Sequence, residues 1–152
     1  MSKIIIGIDP DSKAHGVAVY DSNGKLSLIQ SMPLMAIILL LARWADDGMS
    51  FDIVEVHIED VCANNSVFMK PGRMDKKREG EAKARGRTLG MCQQAQAELE
   101  RVFEYYKIKV VKHKISKMWK KDKTQFQKVT GWTGRGNEDT RSAAYFGWLG
   151  CN

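Results

Sequence analysis

Little in this sequence suits an exported or membrane-embedded protein. Its three cysteines, Cys62, Cys92 and Cys151, are odd in number and lack paired spacing. That pattern excludes a disulfide framework or a zinc site and suits reduced thiols. Long apolar runs are missing: Leu34 to Ala42, with Trp44 beyond, is too short for a bilayer, and Arg43 and Asp46-Asp47 interrupt it. Met1-Ser2-Lys3 leads directly into a strand-forming run and leaves no room for a signal peptide. A cytoplasmic protein with no membrane partner is expected. Internal repeats and low-complexity tracts are absent too, and 152 residues is the length of one domain, taken as 1–152.

What is present is charge, unevenly placed. Residues 1–60 carry four basic and nine acidic groups, and residues 61–152 carry twenty basic and nine acidic. An acidic half able to hold metal is thus followed by a basic half able to hold phosphate, a division that suits an enzyme acting on nucleic acid.

The stretch that organises the chain is Lys3-Ile4-Ile5-Ile6-Gly7-Ile8-Asp9-Pro10-Asp11. Its isoleucines read as a strand buried on both faces, with Asp9 at its end. A carboxylate beside such a run needs a partner, and a divalent metal is one. An Asx-type turn with Pro10 is another explanation, and both stay open at this point. Gly16 to Tyr20 makes a second strand, Asp21 to Lys25 a tight turn with positive φ expected at Asn23-Gly24, and Leu26 to Ser31 a third strand.

Pro33 begins a helix that carries Leu34, Ile37, Ile38, Leu41 and Trp44 at helical spacing and ends at Asp46-Asp47-Gly48. Phe51 to Glu59 alternates apolar and polar residues as a fourth strand, which makes Glu55 a solvated residue and His57 a surface or packed one. Glu59, like Asp9, ends its strand, where sites in α/β sheets gather. Asn64 to Gly80 lacks periodicity and reads as a loop or helix start. Within and after it, Lys70, Arg73, Lys76, Lys77, Arg78, Lys83, Arg85 and Arg87 surround Phe68. Such a run is either a solvated face or a set of phosphate contacts, and Phe68 is either a core anchor or a wedge between bases. A long helix follows from about Glu81 to Tyr106, with an apolar stripe of Leu89, Cys92, Ala95, Leu99, Val102 and Phe103. Gly86 and Gly90 within it would let another element approach closely. Ile108 to Val111 is the fifth strand, and Ser116 is a candidate cap for a helix holding Trp119, Lys120, Lys121, Lys123, Phe126 and Val129. After a glycine-rich loop, the last helix starts at Asn137, with Glu138 and Asp139 suiting its dipole.

The order of these elements, with Gly7-Ile8-Asp9-Pro10, Ile58-Glu59-Asp60-Val61, Gly86-Arg87-Thr88-Leu89-Gly90, the Lys-rich segment around Trp119, and Glu138-Asp139-Thr140-Arg141-Ser142-Ala143-Ala144, resembles the RuvC-type Holliday-junction resolvases, phage-encoded members in particular. The resemblance covers nearly the whole chain. It implies an α/β, RNase H-like fold: a five-stranded mixed sheet flanked by helices. It also implies a homodimeric endonuclease that nicks four-way DNA junctions symmetrically. Asp9, Glu59 and, from the last helix, Asp139 would hold two Mg²⁺ ions, with Mn²⁺ as substitute, since hard oxygen ligands suit these cations. Lys123 is the first choice for the lysine near the scissile phosphate, with Lys120 and Lys121 as alternatives. One position departs from the family pattern: Ser142 stands where a carboxylate is expected. Either Glu138 or Asp139, one turn earlier, completes the site, or the site is impaired. Rival readings are a junction-binding protein without cleavage, an RNase H-like nuclease acting on flaps or RNA–DNA hybrids, and an actin-like ATPase. The last is disfavoured by small size and the lack of a second glycine-rich phosphate loop.

Overall fold

The first strand sits at the centre of the sheet. Ile4–Asp9 (β1) pairs antiparallel with His15–Tyr20 (β2) on one side and parallel with Val54–Glu59 (β4) on the other. Leu26–Met32 (β3) continues the sheet beyond β2, and Lys109–His113 (β5) continues it beyond β4, giving the order β3-β2-β1-β4-β5. This is the five-stranded mixed sheet of an RNase H-like α/β fold. The computed structural model describes residues 2–63 and 75–152, so Phe68, Lys70 and Arg73 lie outside the described residues.

Side chains alternate across a strand, so each face of the sheet has its own core. Ile6, Ile8, Val17, Val19, Val54, Val56 and Ile58 pack on one face against Ile37 and Leu41 of Leu34–Asp46 (α1) and Leu99 and Phe103 of Lys76–Tyr105 (α2). On the other face, Ile5, Ala18, Tyr20 and Ile29 pack against Phe126 of Lys123–Thr130 (α3) and Ala143 and Ala144 of Glu138–Cys151 (α4). Helix α4 lies almost directly on the backbone. A Cβ at Gly7 would run into the Ala143 carbonyl and come within 2.6 Å of the Gly147 nitrogen, and one at Gly16 would strike the Asp139 carbonyl. No side chain larger than hydrogen fits at either position.

That close seating explains the main correction to the sequence reading. Glu55, His57 and Glu59 do alternate with Val54, Val56 and Ile58, but α4 covers their face and all six residues of β4 are buried. Glu55 is therefore not solvated. It accepts from Lys3 at 2.8 Å and pairs with His57 Nε2 at 2.8 Å. Phe51–Ile53, expected to open the strand, forms a 3₁₀ turn capped by the Ser50 hydroxyl.

Other boundaries moved for local reasons. In the β2–β3 turn only Gly24 has positive φ, because the Asp21 carboxylate accepts from the Asn23 and Lys25 N–H groups and organises the turn itself. Helix α2 starts at Lys76, not near Glu81, because Asp75 accepts from the Arg78 N–H as its cap. Its buried residues are Gln96, Leu99 and Phe103, so only its later turns dock on the sheet. The expected close approach at Gly90 does not occur, since nothing lies within 4 Å of a Cβ built there. Ser116 caps only a turn, through the Met118 N–H, and α3 begins at Lys123 under an Asp122 cap. The final helix begins as read, with a capping box between Asn137 and Thr140.

Two glycine substitutions should differ in sign. Gly7→Ala should lower stability by about 2 kcal/mol or more, because backbone, not a flexible side chain, blocks the added methyl. Gly90→Ala should raise it by about 0.5–1 kcal/mol, the ordinary gain at an open helical site. Thermal unfolding of both variants checks this, and equal effects would contradict the seating of α4.

Candidate active site

Asp9 and Glu59 end two parallel, adjacent strands whose register pairs Ile8 with Ile58, so the carboxylates lie side by side. Each is only 4% exposed. Burial, and then the Asp9 charge beside it, hold the Glu59 carboxyl well above the ordinary carboxylate range, against the opposing pull of Lys120 and a backbone hydrogen bond at Ser116. The cluster is short of positive charge. Asp9 Oδ2 is buried without a hydrogen-bond partner, although the Lys120 ammonium lies 3.2 Å away. The two meet as an ion pair.

Lys120 comes from the turn before α3. Its Nζ also lies 4.0 Å from Asp139 Oδ1 on α4. Burial disfavours its charge, but Asp9, Glu59 and Asp139 outweigh burial and raise its pKa. Burial, followed by the Asp9 charge, raises Asp139 in turn. Trp119, the preceding residue, is 3% exposed, has φ of 65°, and packs against Phe126, Tyr145 and Trp148. Arg141 of α4 donates to the carbonyls of both Trp119 and Lys120.

The sequence-predicted residues therefore divide. Asp9, Glu59, Asp139 and Lys120 come together. Lys123, the first choice among the lysines, is exposed on the first turn of α3, and Lys121 is exposed beside it. The left-handed turn at Trp119 directs Lys120 to the carboxylates in their place. Glu138 is exposed at the start of α4. Ser142 is fully buried, and its hydroxyl has no hydrogen-bond partner. It falls three residues after Asp139 and four before Phe146, on one stripe of the helix. The Phe146 ring stacks on His113, which pairs with Glu59 in the β4–β5 register. Ser142 thus occupies the stripe of α4 that runs over the carboxylate ends of the strands.

A cleft of about 500 Å³ opens over the cluster, lined by Asp9, Glu59 and Lys120 and by Arg85, Thr88 and Leu89 of α2. Lys76, Lys77, Lys83 and Arg87 are exposed along this undocked half of the helix, and Arg78 is half-buried.

Three supports were not foreseen. His57 Nδ1 lies 2.7 Å from His113 Nε2 and continues the Glu55 pair into a partly buried chain. His15 Nδ1 accepts from the Asp11 N–H and fixes the turn after Asp9. Gln96, fully buried, receives the Cys62 N–H and donates to Asp60, tying the exit of β4 to α2. The alternation that placed Glu55, His57 and Glu59 on one face was the only signal for the first, and a lone glutamine gave none.

Among the described residues no group of three or more histidine, cysteine, aspartate or glutamate side chains is gathered as a ready metal site. The donors nevertheless fit a hard cation: two adjacent buried carboxylates, one oxygen without a donor, and a suppressed ionisation that a metal would reverse.

No family model matches the sequence, and no curated protein matches it. Solved structures do. The chain is similar to Thermus thermophilus RuvC in complex with Holliday junction substrate, at 13% identity and a TM-score of 0.53, over 96% of this chain and 91% of that one. A second Thermus thermophilus RuvC structure aligns at 13% identity with a TM-score of 0.49, over 95% and 91% of the two chains. The fold is therefore of the RuvC type, within the RNase H-like class.

The raised Glu59 carboxyl has a stability consequence. A group whose pKa is raised on folding stabilises fully below its unfolded value, here near 4.5, and loses that contribution as pH rises through the folded value. The metal-free protein should therefore lose stability relative to Glu59→Gln as pH rises from about 4.5 through about 8, with the difference smallest at and below pH 4.5. Melting temperatures of the two proteins across pH, in chelator, measure this. A difference independent of pH would contradict it.

Proposed function

We propose that the protein is a metal-dependent endodeoxyribonuclease that resolves four-way DNA junctions, acting as a homodimer on two strands of like polarity. The observation that carries this reading is the pairing of buried Asp9 and Glu59 at the mouth of a cleft flanked by basic α2, on a RuvC-type fold. Asp9 and Glu59 would hold the divalent ions, Mg²⁺ or Mn²⁺, with Asp139 as the nearest third carboxylate. The metal would activate water and stabilise the leaving oxygen of a phosphodiester. Lys120 would meet a phosphate oxygen at the cluster, and Lys76, Lys77, Arg78, Lys83, Arg85 and Arg87 would follow the backbone beyond it. Such contacts position DNA without reading its bases, so recognition would rest on branch geometry. The symmetry of a four-way junction suits two copies related by a two-fold axis. Phe68, Lys70 and Arg73 belong to this reading on sequence grounds alone. Among the described residues no helix is long and apolar enough to cross a membrane.

A second reading has its own support. Ser142 is buried and unpartnered where the family pattern places a carboxylate, and among the described residues no third ligand is gathered. The chain as written would then bind junctions and cleave them poorly.

Cleavage of a four-way junction in Mg²⁺ and in Mn²⁺, beside Y-forks, duplex and RNA–DNA hybrid, tests both readings. Junction-selective, paired nicking that Asp9→Asn abolishes without loss of junction binding is expected. Ser142→Asp should raise the Mg²⁺-dependent rate by at least about tenfold if the site is impaired, a loss of barrier near 1.4 kcal/mol. Equal cleavage of all substrates, or full turnover by Asp9→Asn, would overturn the proposal.

A further inference from the structure

We propose that Lys120 is a resident counter-cation of the carboxylate cluster, locked there by Arg141, and that a divalent ion binds in competition with it. This rests on the metal reading above and concerns how that site is kept before metal arrives.

The placement is specific. The ammonium bridges two carboxylates from different elements, 3.2 Å from Asp9 Oδ2 on β1 and 4.0 Å from Asp139 Oδ1 on α4. Its side chain is 27% exposed, against 50–67% for Lys3, Lys109 and Lys112, the other ion-paired lysines among the described residues. The main chain beneath it is fixed from three directions. Arg141 holds the carbonyls of Trp119 and Lys120, the Trp119 ring is buried among Phe126, Tyr145 and Trp148, and Trp119 itself is left-handed. A bulky residue in that conformation costs on the order of 1–3 kcal/mol and persists only where its surroundings over-determine it. Here the surroundings do so, and they leave the Lys120 side chain directed at the cluster.

The charge balance gives the reason for such a device. Asp9 and Glu59 are nearly out of water, and Asp139 is close by. Without a cation these groups repel, and buried carboxylates tolerate neither isolation nor like neighbours. An ammonium supplies the missing charge in the DNA-free protein. A divalent ion at Asp9 Oδ2 would face the ammonium across that oxygen, and the repulsion between them favours the withdrawal of Lys120. Lysine, a point charge on a flexible stem, can withdraw into the adjoining cleft, where a phosphate would receive it. The resident lysine thus lowers metal affinity in the free protein and spares it for the complex with DNA. Arg141 touches none of the carboxylates and acts by positioning.

Mn²⁺ titration by calorimetry on the full chain without DNA tests this, with melting curves in parallel. Lys120→Met should bind Mn²⁺ at least roughly fivefold more tightly than the wild type, the effect of a half-buried ion pair worth about 1 kcal/mol. It should also melt lower in chelator and gain more from Mn²⁺. Arg141→Gln should tighten Mn²⁺ binding to a smaller degree, and should add nothing once Lys120 is replaced, which a merely structural role would not produce. Lys120→Gln serves if the methionine variant does not fold. Unchanged or weaker Mn²⁺ binding in the Lys120 variants, with Asp9→Asn still abolishing binding in the wild-type background, would overturn this proposal and leave the metal reading intact. Failure of the wild type and of the Lys120 variants alike to bind Mn²⁺ would overturn both.

Discussion

The contact on which the site depends is the seating of α4 against bare backbone at Gly7 and Gly16. A helix at that distance does two things at once. It carries Asp139 and Ser142 over the carboxyl ends of β1 and β4, and it closes the polar face of β4 to water. Each polar group on that face then needs an internal partner. Glu55 finds Lys3 and His57, and His57 finds His113. Glu59 has Asp9, a neighbour of its own sign, and burial together with that charge holds its carboxyl high. A pair of carboxylates that cannot both ionise comfortably is a store of affinity for a cation.

The same packing decided what could be read from the sequence. The run of isoleucines before Asp9 read as a strand buried on both faces, and β1 is buried from Ile5 onward. Alternation along Ile53–Glu59 correctly placed Glu55, His57 and Glu59 together. It failed on exposure, since a two-residue period looks the same whether solvent or a helix covers the polar side. The last helix was legible to within a residue of its start because its first turn is acidic and suits the helix dipole.

The lysines were less legible for a local reason. Ser116 and Asp122 are both chemically competent caps, and only the second starts a helix. Choosing the first places Lys120 and Lys123, three residues apart, on one helical face, where either is as good a candidate as the other. The actual backbone turns left-handed at Trp119, a conformation that nothing in an aromatic residue announces. Arg141 was equally hidden, because its role is to hold two carbonyls that only the fold brings near. The undocked half of α2 presented a further ambiguity. Gly80, Gly86 and Gly90 weaken helix propensity, whereas the Asp75 cap favours a helix from Lys76, which is what forms.

The claim that binds these observations is that Asp9 and Glu59 form a divalent-cation site held in readiness by Lys120. Anomalous diffraction from crystals of the DNA-free protein soaked in Mn²⁺ tests it most directly. A manganese peak within coordination distance of both Asp9 and Glu59, with the Lys120 ammonium moved off Asp9, is the expected result. Absence of a peak at these two carboxylates, with manganese bound elsewhere or with Lys120 still on Asp9 beside an occupied site, would contradict it.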